Sequence, residues 1–71
     1  MKSVWKTAEG HSVRVEHMSD EHIYNALKWI LDDDQVSLDD SLNDHTVAFW
    51  IFEFVREMYD RKIDPKTGEP L

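Results

Sequence analysis

The stretch Met18-Ser19-Asp20-Glu21-His22-Ile23 decides how this chain folds, because it combines several signals of a helix N-terminus. Ser19 suits the N-cap position, where its hydroxyl can accept a hydrogen bond from a backbone N–H of the first turn. Two acidic side chains follow it, where the helix dipole favours negative charge. Met18 and Ile23 occupy the two positions of a hydrophobic staple. These signals predict a helix that begins at residue 20.

The helix continues after this start because apolar residues recur with the spacing of a single helical stripe. The pattern predicts a helix over about residues 20–32. Trp29 lies off the centre of the stripe, which favours an exposed or interface location for its side chain. The stripe consists of Ile23, Ala26, Leu27, Ile30 and Leu31.

Upstream of the helix, two short segments predict an antiparallel β-hairpin within residues 3–16. Residues 4–7 and 12–15 are rich in β-branched and aromatic side chains and alternate in polarity. Gly10 lies between them and can take the positive φ that a short turn requires. Trp5 can cover the apolar face of the second strand. An isolated two-stranded ribbon is marginal in water, so the hairpin is expected to pack on helices.

Downstream of the helix, residues 32–44 form an acidic connection with six aspartates and no basic residue in thirteen positions. Three interpretations stay open: a solvated linker, an acidic surface offered to a basic partner, and a site for a divalent cation. The segment lacks the glycine and the terminal glutamate of an EF-hand loop, which argues against the third interpretation. The interaction candidates in this segment are Asp33, Asp34, Asp39 and Asp40.

A second helix is predicted from residue 44 or 45 to about residue 62. Its apolar residues cover an arc of roughly 200°, whereas packing against one neighbour needs a stripe of about 100°. Either all of its aromatic side chains join the core, or some lie at an interface. The excess favours a homo-oligomer. Phe49 and Trp50 of this helix, together with Trp29 of the first helix, are the aromatic interaction candidates. After this helix, residues 64–71 predict turns and a flexible tail.

Length and charge restrict the function classes. The chain has 71 residues, a formal net charge of -7 and no cysteine, which predicts a small single domain without disulfides. Fifteen acidic against eight basic residues argue against binding to nucleic acid or to an anionic membrane surface. The first residues do not predict a secretory leader, and no apolar run is long enough to span a membrane. We therefore expect a cytoplasmic protein with no nucleic-acid and no membrane partner.

Motifs for catalysis or ligand binding are missing from the sequence. The four histidines match no standard zinc spacing, and no cysteine is available to complete a site. There is no G-x-S-x-G motif, and two glycines are too few for a phosphate-binding loop. The sequence therefore predicts no enzyme, no catalytic residue, no metal and no cofactor. For His22, a structural tie between helix and hairpin and a functional role both remain open.

Two short patterns in the first half of the chain resemble small phage and prophage proteins. The first is Trp5-Lys6-Thr7-Ala8-Glu9-Gly10, and the second is the helix start followed by Asn25-Ala26. The resemblance covers about residues 5–31. It implies a phage-type setting and a hairpin that leads into a capped helix and a second helix. It implies no activity, because these proteins mostly have no assigned function.

Together these observations predict an α+β fold, a small single domain in which an N-terminal β-hairpin packs on two α-helices. The predicted function is a non-enzymatic protein-interaction module. It would be a phage-encoded accessory protein that binds a host or phage protein in the host cell cytoplasm through an acidic and aromatic surface. One alternative is a small structural or oligomer-forming component without a host target. Another is an acidic DNA-mimic inhibitor, for which a net charge of -7 with eight interspersed bases is modest.

Overall fold

The computed structural model describes residues 4–7, 9–33 and 35–71 of the chain. It confirms the predicted α+β fold, with an N-terminal hairpin and two helices, and it adds a second small hairpin. In chain order the elements are β1 (Val4–Lys6), β2 (Ser12–Arg14), a 3₁₀ helix (Val15–His17), α1 (Asp20–Leu31), β3 (Ser41–Leu42), β4 (His45–Thr46) and α2 (Val47–Asp60).

The first hairpin pairs β1 and β2 antiparallel, with Trp5 directly opposite Val13. Gly10 has φ +87°, and its N–H donates a hydrogen bond to the carbonyl of Thr7 (3.0 Å). The turn therefore uses the conformational freedom that glycine provides. Val15 was expected in the second strand but begins the 3₁₀ helix instead. Its side chain is buried there, where the chain turns towards α1.

The N-terminus of α1 has the predicted chemistry. Ser19 is the N-cap, and its Oγ accepts a hydrogen bond from the backbone N–H of His22 (3.1 Å). Met18 and Ile23 are both buried, as a hydrophobic staple requires. Leu31 is the exception in the predicted stripe, since this last residue of the helix is 58% exposed. The buried residues of α1 are Ile23, Ala26, Leu27 and Ile30.

The core lies between α1, the first hairpin and the inner face of α2, which consists of Val47, Trp50, Phe54 and Met58. Trp5 from β1 meets the rings of Trp50 and Phe54 edge-on, with centroids 5.0 and 5.1 Å apart. Such edge-to-face pairs add stability beyond the area they bury. These contacts hold the hairpin on the helices, as predicted.

The acidic connection contains a second hairpin that the sequence analysis missed. β3 and β4 pair antiparallel across a two-residue turn in which Asn43 and Asp44 have φ of +48° and +70°. Two consecutive residues with positive φ are typical of a type I′ hairpin turn. Thr46 then caps α2, because its Oγ1 accepts a hydrogen bond from the N–H of Phe49 (3.2 Å). The helix begins at Val47, later than predicted, because β4 occupies the two preceding positions.

The C-terminal end of α2 closes in a Schellman motif. Lys62 adopts φ +63° just beyond the helix. The N–H of Ile63 donates to the carbonyl of Met58 (2.8 Å), and the N–H of Lys62 donates to the carbonyl of Tyr59 (3.0 Å). Ile63 is buried and joins the core together with Met58. The motif satisfies carbonyls that the helix end would otherwise leave without partners.

Residues 64–71, for which the sequence predicts turns and a flexible tail, form a loop that packs against α1. An antiparallel bridge pairs Ile63 with Pro70. Gly68 has φ +76° and lies so close to the ring of Tyr24 that a Cβ would come within 2.9 Å of it. The turn-forming residues of this segment therefore close a loop against α1 instead of releasing the chain into solvent.

Arg61 clamps the end of α2 to the chain that precedes α1. The Arg61 side chain is only 20% exposed, and its ion-pair partner Glu57 lies one helical turn before it. Burial lowers the pKa of Arg61, whereas hydrogen bonds and charge attraction from Glu57 and Asp20 raise it, and the net result is a pKa above the ordinary value of an arginine. All five guanidinium N–H groups find acceptors. Nη1 donates to the Met18 carbonyl (2.6 Å) and to Asp20 Oδ1 (2.9 Å), and Nε donates to Glu57 Oε2 (2.9 Å). Nη2 donates to the carbonyls of Val15 (3.2 Å) and Glu16 (3.1 Å).

Candidate protein-interaction surface

Trp29 is the largest exposed side chain of α1. It is 59% exposed, whereas Trp5 and Trp50 are 6% and 0% exposed. The rings of Trp29 and Trp5 meet edge-on with centroids 6.4 Å apart. Trp29 is therefore fixed at its base against a buried aromatic ring and presents the rest of its surface to solvent.

A cavity of about 270 Å³ lies on one side of Trp29. Asp33 and Asp40 line this cavity together with Trp29, so three of the predicted interaction residues are brought to one place. Trp29 belongs to α1, Asp33 to the turn after it and Asp40 to the loop before β3. The second hairpin brings Asp40 back to the helix. The apolar lining consists of Ile30, Val36, Leu42 and Val47.

A wider groove of about 500 Å³ lies on the other side of Trp29, between α1, β1 and the β3–β4 turn. Trp29 and Leu42 line both concavities, so together they form the boundary between them. His22 and Asn25 line the groove because they precede Trp29 on α1 at helical spacing. The remaining lining residues are Trp5, Lys6, Thr7, Glu9, Ala26 and Asn43.

The groove joins residues from both patterns that carry the resemblance. Thr7 and Glu9 from the first pattern face His22 and Asn25 from the second across it. The side-chain amide of Asn43 donates to the carbonyl of Lys6 (3.4 Å) at the same end, which links the two hairpins. We refer to Trp29 and the two concavities beside it as the Trp29 surface.

The carboxylates of the Trp29 surface also fix local backbone. Asp33 Oδ1 accepts a hydrogen bond from the N–H of Gln35 (3.0 Å), and Asp40 Oδ2 accepts one from the N–H of Ser37 (2.9 Å). Within the described part of the chain, no basic side chain forms an ion pair with either carboxylate. The negative charge beside Trp29 is therefore held in place and left without a counter-charge.

The structure separates the other predicted interaction residues from this surface. Trp50 is fully buried, and its indole N–H donates to the Leu42 carbonyl (2.6 Å), so it cannot contact a partner. Phe49 is half-buried and stacks on the ring of His45, with centroids 4.0 Å apart. Asp39 is exposed but lines neither concavity beside Trp29. Asp34 lies outside the described residues.

The described residues offer little to metal or membrane chemistry. No group of three or more histidine, aspartate or glutamate side chains among them could hold a metal ion. No helix in the described ranges is long and apolar enough to cross a bilayer. Every buried side-chain nitrogen and oxygen of these residues has a hydrogen-bond partner, so no polar group in the core is left to bind a ligand.

Comparisons of the chain with protein-family models, with curated proteins and with solved structures find no match. The role of the Trp29 surface therefore has to be inferred from its shape and charge. The likeness to phage and prophage proteins stays a prediction.

Proposed function

We propose that this protein is a non-enzymatic interaction module that binds a basic protein segment on the Trp29 surface. The observation that carries the proposal is Trp29 itself, 59% exposed between two concavities with Asp33 and Asp40 at its side. Tryptophan is enriched among the residues that dominate binding energy at protein interfaces. A partner would anchor an apolar side chain beside the indole ring and place basic side chains against the carboxylates.

The charge at the end of α1 supports this proposal. Asp32 is the C-cap of the helix and Asp33 follows it, where the helix dipole favours positive charge. Acidic groups at this end disfavour the helix, by an amount on the order of 0.3–1 kcal/mol each. Stabilisation of the helix by its dipole therefore does not account for these charges, and their position beside Trp29 supports a basic partner.

The overall charge supports the same type of partner. A net charge of -7 speeds encounter with a basic surface, and the local field of the aspartates extends about 8 Å at physiological salt. Charges at the rim of an interface mainly set the association rate, whereas a desolvated aromatic side chain mainly sets the lifetime of the complex. Together with the resemblance, this suggests an accessory protein of phage origin that acts on a host or phage protein.

Peptides selected from a random display library against the immobilised protein provide the probe for this proposal. We expect them to combine lysine or arginine with an apolar anchor. Binding should protect the indole ring of Trp29 from acrylamide quenching, since Trp29 is the one tryptophan of three that is mostly exposed. Peptides without basic residues, or without an effect on this quenching, would contradict the proposal.

Stopped-flow kinetics with a selected peptide then separate the two roles. Trp29→Ala should raise the dissociation rate at least about tenfold. The double variant Asp33→Asn with Asp40→Asn keeps an acceptor oxygen at each turn, and it should slow association and flatten its salt dependence. The matched control, Glu53→Gln with Asp60→Asn, removes two charges from α2 and should have a smaller effect. Equal slowing by both double variants would mean that only the net charge matters.

A further inference from the structure

The smaller cavity beside Trp29 combines an apolar interior with a negatively charged edge. Its four apolar lining residues are buried or half-buried. Asp33 and Asp40, which also line it, are exposed. Its volume of about 270 Å³ lies below the roughly 300–1,000 Å³ of sites for small molecules. The cavity therefore has room for one side chain of a partner rather than for a larger ligand.

We propose that this cavity holds one arginine side chain of the basic partner segment. The proposal rests on the proposed function and specifies which residue of the partner is anchored beside Trp29. Long basic side chains bury an apolar stem and keep the charged head at a polar edge. The cavity offers these same two environments. An apolar side chain would fill the same volume but would bring no donor to the two carboxylates.

Each of the two carboxylates has one oxygen left to accept a hydrogen bond. Asp33 uses Oδ1 for the N–H of Gln35, and Asp40 uses Oδ2 for the N–H of Ser37. Among the described residues, no donor reaches Asp33 Oδ2 or Asp40 Oδ1. A guanidinium group carries N–H donors on two outer nitrogens and can offer one nitrogen to each carboxylate. Because backbone N–H groups already hold both carboxylates, binding costs little further side-chain entropy.

The indole ring of Trp29 favours arginine over lysine. Guanidinium planes stack on aromatic faces, and tryptophan is the strongest aromatic partner of a cation. Trp29 is available for this contact because Trp5 meets it edge-on and most of its surface remains exposed. An ammonium group is also more strongly hydrated than a guanidinium group, so lysine loses more hydration when it enters a cavity with apolar walls.

Substitutions in a selected peptide that protects Trp29 from quenching test the inference. Each arginine of the peptide is replaced in turn by citrulline, which removes the charge, and by lysine, which keeps the charge but removes the planar group. At one arginine, we expect citrulline to weaken binding at least about thirtyfold and lysine at least about fivefold. Isothermal titration calorimetry measures the dissociation constants.

Variants of the protein then show where this arginine binds. In the double variant Asp33→Asn with Asp40→Asn, the difference between the arginine and citrulline peptides should fall from about thirtyfold to less than about fivefold, because the charges that distinguish them are gone. Glu53→Gln with Asp60→Asn is the matched control, since it removes the same number of charges outside the cavity. This control should keep the thirtyfold difference.

Val36→Phe tests the cavity itself, because the larger side chain fills space that the arginine stem would occupy. It should weaken binding of the arginine peptide at least about tenfold, and a urea titration checks that the variant is folded. Leu38→Phe is the matched control, because Leu38 is 60% exposed and does not line the cavity. If Val36→Phe does not fold, the comparison of the two double variants still decides.

The outcomes distinguish this inference from the proposed function. Peptides that protect Trp29 but bind equally well with arginine, lysine or citrulline at every position would overturn the inference and leave the proposed function standing. The same conclusion would follow if the peptides that protect Trp29 contained lysine and no arginine. Failure of every selected peptide to protect Trp29 would contradict the proposed function, and this inference with it.

Discussion

The inner and outer faces of α2 carry side chains of similar size and hydrophobicity, yet they lie in opposite environments. Trp50, Phe54 and Met58 on the inner face are fully buried. Phe52 and Tyr59 on the outer face are more than half exposed. The difference shows that apolar residues beyond a single stripe need not join the core of a small domain.

The number of neighbours explains the difference. The inner face of α2 packs against α1 and against Trp5 of the first hairpin. On the opposite side of the helix, the described parts of the chain leave Phe52 and Tyr59 more than half exposed.

Trp50→Ala should have the largest effect, because it removes a fully buried indole ring and leaves a cavity between α1, α2 and the hairpin. We expect a loss of about 3–5 kcal/mol of unfolding free energy, enough to unfold much of a small domain. Urea titration followed by circular dichroism measures the loss. Trp29→Ala is the control and should cost less than about 1.5 kcal/mol. Similar losses in the two variants would break the contrast between buried and exposed aromatic residues.

Arg61→Ala should destabilise the fold by about 2–3 kcal/mol, because Arg61 lies at the edge of the inner face and its loss leaves backbone carbonyls without donors. Arg61→Lys should recover only part of this loss, since an ammonium group cannot reproduce the planar fork. Because the pKa of Arg61 is raised, the charged guanidinium contributes fully to the free energy of unfolding at neutral pH. This contribution is lost only when the pH rises through the pKa of the folded state. Urea midpoints at pH 7 rank the parent, Arg61→Lys and Arg61→Ala by stability. If Arg61→Lys were as stable as the parent, the planar hydrogen-bonding geometry of Arg61 would not be what stabilises this contact.

Lys62→Gly should stabilise the protein by about 0.5–1 kcal/mol, because glycine adopts the φ of +63° at the end of α2 without steric cost. Arg56→Gly is the matched control, since it replaces another exposed basic residue inside the helix. It should destabilise by about 1 kcal/mol. The thermal midpoints of the two variants should therefore move in opposite directions. If both moved in the same direction, the loss of the positive charge would determine stability more than the backbone conformation does.

Phe52→Ser should have the smallest effect on folding, within about 0.5 kcal/mol, because its side chain is mostly exposed on the outer face. Chemical denaturation followed by circular dichroism measures it. A loss comparable to that of Trp50→Ala would show that the outer face contributes to the fold of the single chain.

The candidate surface could be predicted only in part. Trp29 lies off the apolar stripe of α1, so the spacing alone indicated its exposure. Trp50 could not be distinguished from Phe52 in the same way, because a broad apolar arc does not say which side meets the hairpin. The proximity of Asp40 to Trp29 depends on the second hairpin. Its Asn43-Asp44 turn was a usable signal that the aspartate-rich composition obscured.

The sequence by itself determined the local structure of the chain: the Ser19 cap, the Gly10 turn and the α+β class follow from interactions between residues close in sequence. Only the tertiary structure decided which face of α2 is buried and that Arg61 reaches the carbonyls of residues 15, 16 and 18. It also decided that residues 64–71 close against Tyr24. The physical reason is that these features depend on contacts between segments far apart in sequence, which spacing along one segment does not encode.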